Sequence, residues 1–141
     1  MSFVVNSLTR SLWCFHLGGS ACNNCDIEIL DLLTPKYDIE RFGMVPVGSV
    51  RHADVILLSG AFNKKAAIRA KRVYEQAAKP VVVVAIGGCA CTGGIFRDSY
   101  NVDPPISKYI PVDAFIPGCP PKPEAMISAV VKLINKLKGK S

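Results

Sequence analysis

The chain has 141 residues, of which 50% are hydrophobic, and this predicts a single domain, residues 1–141, with a sizeable core. Its net charge of +6 is modest and no aromatic side chains alternate with the basic ones, which argues against a nucleic-acid-binding protein. No uninterrupted apolar run reaches about 18 residues, so no transmembrane helix is predicted.

The N-terminal region, residues 1–19, has an early apolar patch but no long hydrophobic segment with a small-residue cleavage site. It therefore predicts no signal peptide and favours a cytosolic, reducing compartment. In such a compartment the six cysteines are more readily metal ligands than disulfide partners.

The first predicted element is a buried strand over residues 11–17, which ends at a glycine pair. Ser20 and Asn23 are candidate caps for a helix over 24–33, and Pro35 ends that helix. A strand followed at once by a short helix is the first half of a βαβ unit.

The rest of the chain repeats this alternation of apolar runs and helical patterns. The further predictions are an edge strand with an internal proline over 41–49, a buried strand over 53–60, a helix over 64–78, a valine-rich buried strand over 80–88, a last strand over 113–118 and a helix over 122–139. Alternating strands and helices predict an α/β fold with a mostly parallel sheet.

Basic residues are densest in two stretches, 64–72 and 132–140. Their spacing places lysines around amphipathic helices, which predicts solvated helix faces. The alternative is a surface that faces a membrane or an acidic partner.

Five of the six cysteines follow the ends of predicted strands. They are Cys22 and Cys25 after the first strand, Cys89 and Cys91 after the valine-rich strand, and Cys119 after the last strand. Ligands of open parallel sheets bind beyond the carboxyl ends of the strands. The five side chains are therefore predicted to lie at the edge of the sheet where a ligand binds.

The spacing of these cysteines favours an iron–sulfur cluster. A structural zinc ion usually takes C-x-x-C pairs at both ends of its ligand set, whereas this chain has one such pair and further single cysteines. A [4Fe-4S] cluster takes four thiolates, which Cys22, Cys25, Cys119 and one of Cys89 and Cys91 can supply. A zinc ion and a thioredoxin-like dithiol of Cys22 and Cys25 remain alternatives.

Three other side chains have the chemistry of metal ligands, namely Cys14, His16 and His52. Cys14 lies inside the first predicted strand, and free cysteine is among the most often buried residues, so it is predicted to be a core residue. A histidine near a strand end is more often a hydrogen-bonded structural group than a ligand. All three are therefore left outside the predicted ligand set.

Four segments carry a family resemblance. In chain order they read GSACNNCDIEIL, RHADVILLSG, AIGGCACTGGIF and PVDAFIPGCPPKPEAM, and they extend over most of residues 11–138. Together they resemble the small, cluster-bearing subunit of nickel–iron hydrogenases, above all the short form found in membrane-bound, energy-converting hydrogenases. They also resemble the related cluster subunit of respiratory complex I. The resemblance implies a flavodoxin-like, doubly wound fold.

The resemblance also implies a ligand set. In the family, residues matching Cys22, Cys25, Cys89 and Cys119 bind one [4Fe-4S] cluster near the active site of a large subunit. In the complex I version the first two cysteines are adjacent, so the C-x-x-C spacing here favours the hydrogenase-like branch. Cys91 is an additional thiol and is the alternative to Cys89 as the third ligand.

Glu28 matches an acidic position that follows the paired cysteines in the family. One interpretation is a residue of a proton path or a carboxylate that tunes the cluster. The other is a carboxylate favoured by the dipole at a helix N-terminus, an effect of about 0.3–1 kcal/mol.

The resemblance implies a non-catalytic electron-transfer subunit of a multi-subunit, membrane-bound oxidoreductase that translocates ions. The implied partners are a large nickel–iron, or derived, catalytic subunit, a two-cluster ferredoxin-like subunit and membrane ion-translocating subunits. They would hold the chain peripherally on the cytoplasmic side of the cell membrane. The alternatives are the same role in a complex that reduces a sulfur compound or a quinone, and a zinc-stabilised interaction module without redox function.

Overall fold

The computed structural model describes residues 10–139. The N-terminal region, for which no signal peptide is predicted, therefore lies about half outside the described residues. The strands are β1 (Leu12–Gly18), β2 (Met44–Pro46), β3 (Val55–Ser59), β4 (Val82–Ile86) and β5 (Ala114–Ile116). The α-helices are α1 (Asn24–Asp31), α2 (Lys64–Gln76), α3 (Gly87–Thr92) and α4 (Pro123–Gly139). Within 10–139, no helix is both long and apolar enough to cross a bilayer.

The five strands form one sheet in the order β2-β1-β3-β4-β5, and every neighbouring pair is parallel. This is the flavodoxin-like strand order, and it confirms the predicted fold class. After β1 the chain moves outward to β2 and then returns to the other side of β1 for β3. The carboxyl ends of β1 and β3 therefore flank the point where sheets of this order bind ligands.

The interior strands are mostly apolar because helices cover both of their faces, and β4 is apolar throughout. On one face, Leu57 and Val84 belong to a cluster with α1 and α4. On the other face, Ile56 and Val83 belong to a cluster with α2. Complete burial of one such side chain contributes about 1.5–3 kcal/mol, so the two clusters hold the sheet edges in place.

The prediction that Cys14 is a core residue is confirmed. It is 7% exposed and packs in the cluster beneath α1 and α4, whereas its neighbour Phe15 packs in the cluster beneath α2. Burial, followed by the charge of Asp54, raises the pKa of the Cys14 thiol to about 12. The thiol is therefore neutral and behaves as a small apolar side chain.

The predicted caps of α1 are only partly correct. Asn23 occupies the N-cap position with a φ of 66°, but its side chain accepts no cap hydrogen bond. Ser20 instead accepts a hydrogen bond from Asn63, at 2.6 Å between Nδ2 and Oγ. Asn63 in turn caps α2, since its Oδ1 accepts from the Ala66 N–H at 2.8 Å. Ser20 therefore ties the loop after β1 to the start of α2.

Candidate metal centre

Four cysteines lie together at the carboxyl edge of the sheet. Cys22 precedes α1, Cys25 lies in its first turn, Cys89 lies in α3, and Cys119 follows β5. Partial burial first, and then the nearby Cys22, Cys89, Asp26 and Cys119, raise the pKa of the Cys25 thiol to about 11. Burial, followed by Cys119 and Cys22, also raises the pKa of Cys89 above its usual value. Each of the four therefore lies within electrostatic reach of at least one other.

The raised pKa values of Cys25 and Cys89 have a chemical consequence. These two thiols resist ionisation, because burial and the neighbouring thiols oppose a negative charge there. A metal centre removes that obstacle, since metal ions bind thiolates and displace their protons. The four side chains together thus have the donor chemistry of a metal site.

Two glycines leave room beside the sulfur atoms. A Cβ atom at Gly87 would lie 2.5 Å from the Sγ of Cys25, and one at Gly94 would lie 3.0 Å from the Sγ of Cys89. Both glycines have a positive φ, of 87° and 52° respectively, which other residues rarely adopt. The space beside these two sulfurs therefore exists only because no side chain starts there.

A backbone hydrogen bond joins two of the cysteine segments. The Gly88 N–H donates to the Gly118 carbonyl oxygen at 2.7 Å. Gly88 precedes Cys89 and Gly118 precedes Cys119, so this bond holds the start of α3 against the loop after β5. The distance between the two cysteine segments is thereby fixed by the main chain.

Cys91 lies apart from the four. Residues 87–92 form the helix α3, so Cys89 and Cys91 lie on a helix and not in an extended segment. In a helix, residues two apart point in different directions, whereas in an extended segment they share a side. The Cys91 Sγ donates to the carbonyl oxygens of Ala85 and Ile116, at 3.7 and 3.8 Å. Its thiol is thus turned toward the ends of β4 and β5.

The spacing of the donors bears on the kind of metal. Among residues 10–139, no three His, Cys, Asp or Glu side chains are grouped closely enough to bind one metal ion. A lone zinc ion requires such a group, because its cysteine ligands lie about 2.3 Å from one point. A [4Fe-4S] cluster binds each thiolate through a different iron, so it takes sulfurs that are further apart. The four cysteines match such a cluster in the number and chemistry of their donors.

The two histidines lie outside the cysteine group. His52 ends a short 3₁₀ helix, Val50–His52, and its ring lies 6.5 Å from that of Trp13 near the opposite edge of the sheet. His16 contacts Ser59 and Asp26 through its Nε2 atom, at 2.8 and 3.0 Å. Both histidines thus have structural partners, in line with the sequence prediction.

Glu28 is half-buried on α1. The acidic residue in the first turn of that helix is Asp26, and Glu28 lies further along the helix, where the dipole effect is weaker. Both interpretations of Glu28 stay predictions. Sequence reasoning passed over Asp26, although its position directly after Cys25 was a usable signal.

Large apolar side chains are exposed in the segments that carry or follow the cysteines. Ile95, directly after Gly94, is 90% exposed, and Tyr100 is 91% exposed. On α1, Ile27 and Leu30 are also mostly exposed. Exposed apolar residues that cluster around a site are typical of surfaces that a protein partner covers.

Fold and site together define a flavodoxin-like α/β protein with a cysteine-lined centre at the carboxyl edge of its sheet. The family model of the NADH ubiquinone oxidoreductase 20 kDa subunit matches residues 22–133. The chain belongs to this family, and the resemblance predicted from its four segments is confirmed.

Curated relatives come from hydrogenase-like and complex I-like assemblies. A probable membrane-bound hydrogenase subunit, mbhJ, of Pyrococcus furiosus is 49% identical over 128 residues, which are 91% of this chain and 77% of the relative. Subunit K of the chloroplast NAD(P)H-quinone oxidoreductase of Draba nemorosa is 47% identical over 132 residues, or 93% of this chain. The chain spans 57% of the length of that chloroplast relative.

Solved structures agree with these relatives. A chain of the membrane-bound sulfane sulfur reductase, an archaeal respiratory membrane complex, superposes with a TM-score of 0.86 and 37% identity, over 98% of this chain and 76% of that one. A chain of an NAD⁺-reducing [NiFe]-hydrogenase superposes with a TM-score of 0.69 and 19% identity, over 90% of this chain and 93% of that one. The second likeness shows the fold alone. The chain is thus a membrane-bound-hydrogenase-like and complex I-like subunit, and its relatives are subunits of oxidoreductase complexes.

Proposed function

We propose that this chain is the electron-transfer subunit of a membrane-associated oxidoreductase and binds one [4Fe-4S] cluster through Cys22, Cys25, Cys89 and Cys119. The observation that carries the proposal is the meeting of these four thiols, from three segments that are far apart in sequence, around glycine-lined space. When bound, such a cluster accepts and releases single electrons.

The third ligand in this proposal is Cys89. Its thiol interacts electrostatically with Cys119 and Cys22. The Cys91 thiol has no cysteine among the groups that shift its pKa, which burial raises and a hydrogen bond to Ile116 partly lowers again. Cys91 therefore serves the packing at the ends of β4 and β5.

The surface and the relatives support a set of proposed partners. The exposed apolar side chains around the cysteines suit a large catalytic subunit, nickel–iron or derived, that covers the centre. Electrons then reach the centre from a separate two-cluster ferredoxin-like subunit. Ion-translocating membrane subunits hold the assembly on the cytoplasmic side of the membrane, with this chain bound peripherally.

The reaction of the whole complex is proposed to be hydrogenase-like. The C-x-x-C spacing of Cys22 and Cys25 and the 49% identity to a probable membrane-bound hydrogenase subunit favour it. The second candidate is the same electron-transfer role in a complex that reduces a sulfur compound or a quinone. The 37% identity to a chain of the sulfane sulfur reductase and the 47% identity to a quinone oxidoreductase subunit support that candidate.

Metal analysis of the anaerobically purified complex tests the cluster. Because the subunits of the complex bind other clusters, the chain is also prepared alone, with iron and sulfide supplied for reconstitution. We expect about four irons and four sulfides per chain, with a brown colour and broad absorption. One tightly bound zinc per chain and a colourless protein would contradict the proposal.

A further inference from the structure

A cluster of polar side chains joins β1, β3 and α1 near the carboxyl ends of β1 and β3. It consists of His16 on β1, Ser59 at the end of β3 and Asp26 in the first turn of α1. Ser59 is the polar residue at the centre of the cluster, and it is 0% exposed. A fully buried hydroxyl is costly unless it is hydrogen-bonded, so the contacts of Ser59 define the geometry of the cluster.

The hydrogen bonds can be assigned from the number of protons. Ser59 has one hydroxyl proton, and its Oγ donates it to the Asp26 Oδ1 at 2.5 Å. The same Oγ lies 2.8 Å from the His16 Nε2, so it accepts the proton of that ring nitrogen. The Nε2 also lies 3.0 Å from the Asp26 Oδ1, so its single proton is shared between the hydroxyl and the carboxylate. The carboxylate oxygen is thus held by the Ser59 hydroxyl, and the His16 ring faces both groups.

This arrangement is not that of a hydrolytic triad. In such a triad the carboxylate and the serine contact opposite nitrogens of the histidine ring. Here both contact the same Nε2 atom, and the Ser59 hydroxyl is closed to any substrate. The cluster therefore holds a carboxylate in place and does not activate a nucleophile.

The carboxylate held in this way belongs to the residue directly after Cys25. The charge of this carboxylate raises the pKa of the Cys25 thiol, although burial and the thiols of Cys22 and Cys89 have larger effects. Its side chain remains only 22% exposed, so water screens that charge less than at an open surface. A fixed negative charge therefore lies beside one of the proposed ligands.

We propose that His16 and Ser59 are positioning residues that hold the Asp26 carboxylate beside Cys25, where its charge lowers the reduction potential of the proposed [4Fe-4S] cluster. The inference rests on the proposed function above. Reduction adds one electron and one negative charge to the cluster, and a neighbouring carboxylate makes that addition less favourable. Net charge and hydrogen bonding around a cluster are the main means by which a protein sets its potential.

The test compares two substitutions that each remove one negative charge. Asp26→Asn removes the charge beside Cys25 and keeps an acceptor for Ser59. Asp54→Asn is the matched control, because Asp54 is also half-buried but precedes β3 at the opposite edge, where its Oδ2 accepts from the Trp13 N–H at 3.0 Å. The midpoint potential is measured in the purified complex by titration with dithionite, followed by electron paramagnetic resonance.

We expect Asp26→Asn to keep its iron and to shift the midpoint potential upward, and Asp54→Asn to leave it unchanged. Ser59→Ala keeps the carboxylate but lets it turn to water, so a smaller upward shift is expected. Equal potentials in Asp26→Asn and the unchanged chain, or equal shifts in Asp26→Asn and Asp54→Asn, would overturn the inference. So would loss of iron from Asp26→Asn at an unchanged melting temperature, since Asp26 would then serve assembly and not potential. Absence of iron from the unchanged chain would instead count against the proposed function.

Discussion

Cys89 and Cys91 differ in what their sulfur atoms contact, although only Ala90 separates them. Cys89 interacts with two of the other proposed ligands, and Cys91 donates to two backbone carbonyl groups. The distinction arises from one helical turn, because α3 rotates the two side chains away from each other. One of the two thiols therefore belongs to the proposed centre and the other to the packing beneath it.

Serine substitutions test this division. Cys89→Ser is expected to lose most of its iron, because a hydroxyl is a poor substitute for a thiolate ligand. Cys91→Ser is the matched control and is expected to keep about four irons and an unchanged spectrum. Iron analysis and electron paramagnetic resonance of both reconstituted variants check the prediction. Iron loss from Cys91→Ser alone would move the ligand to Cys91, and tolerance of either single change would mean that the two thiols replace each other.

The polar cluster of His16, Ser59 and Asp26 shows what sequence reasoning misses at this scale. Ser59 is 33 residues from Asp26 and 43 from His16 along the chain, and the pairing of β1 with β3 and the packing of α1 bring them together. The positions of Cys22, Cys25 and Cys119 were predictable, because each follows a strand and the ends of parallel strands share one edge. Pairings that depend on strand register have no comparable local signal.

At the scale of elements, the buried strands were predictable and the helix α3 was not. The runs VILLS and VVVAI in β3 and β4 are apolar except for Ser59, which is typical of strands covered on both faces. The segment GGCACT in α3 has two glycines and too few residues to show a helical period. Tertiary contacts, such as that of Cys91 with Ala85 and Ile116, stabilise this helix in place of propensity.

Gly87 begins α3 beside the Cys25 sulfur, so we expect Gly87→Ala to disrupt the proposed cluster site. The φ of 87° alone costs an alanine about 1–2 kcal/mol, and the added Cβ would also lie 2.5 Å from the Cys25 Sγ. The variant should therefore bind less iron and melt at a lower temperature than the unchanged chain. Iron analysis and thermal unfolding measure these two effects.

Gly48→Ala is the control for that experiment, because a Cβ at Gly48 meets nothing within 4 Å. It is expected to keep both its iron and its melting temperature. If Gly87→Ala behaves in the same way, the glycine does not maintain the space beside Cys25.

At the scale of the whole molecule, the strand order places the site at one edge and the supporting core between the helices. The sheet contributes β1, β4 and β5 to the cysteine edge, and β3 contributes Ser59 beside it. The surface around this edge carries exposed apolar side chains, among them Ile95 and Tyr100. Exposed apolar side chains around the cysteine edge are typical of a chain that works within a complex.

We therefore expect the isolated chain to evolve no hydrogen and to associate in solution. The chain contains a single C-x-x-C pair, so once Cys22 and Cys25 bind the cluster no second pair remains to hold a nickel–iron centre. Hydrogen evolution from reduced methyl viologen and size-exclusion chromatography measure the two properties, with the assembled complex as the positive control for activity. A monodisperse monomer that reduces protons would contradict this prediction.

The hydrogen bond from Gly88 to Gly118, which joins two of the cysteine segments, also bears on the order of assembly. The proposed ligands lie far apart in sequence, and the last of them follows the three-residue edge strand β5. All four can meet only after β5 has paired with β4. The proposed cluster would therefore be inserted late, into a sheet that is already complete.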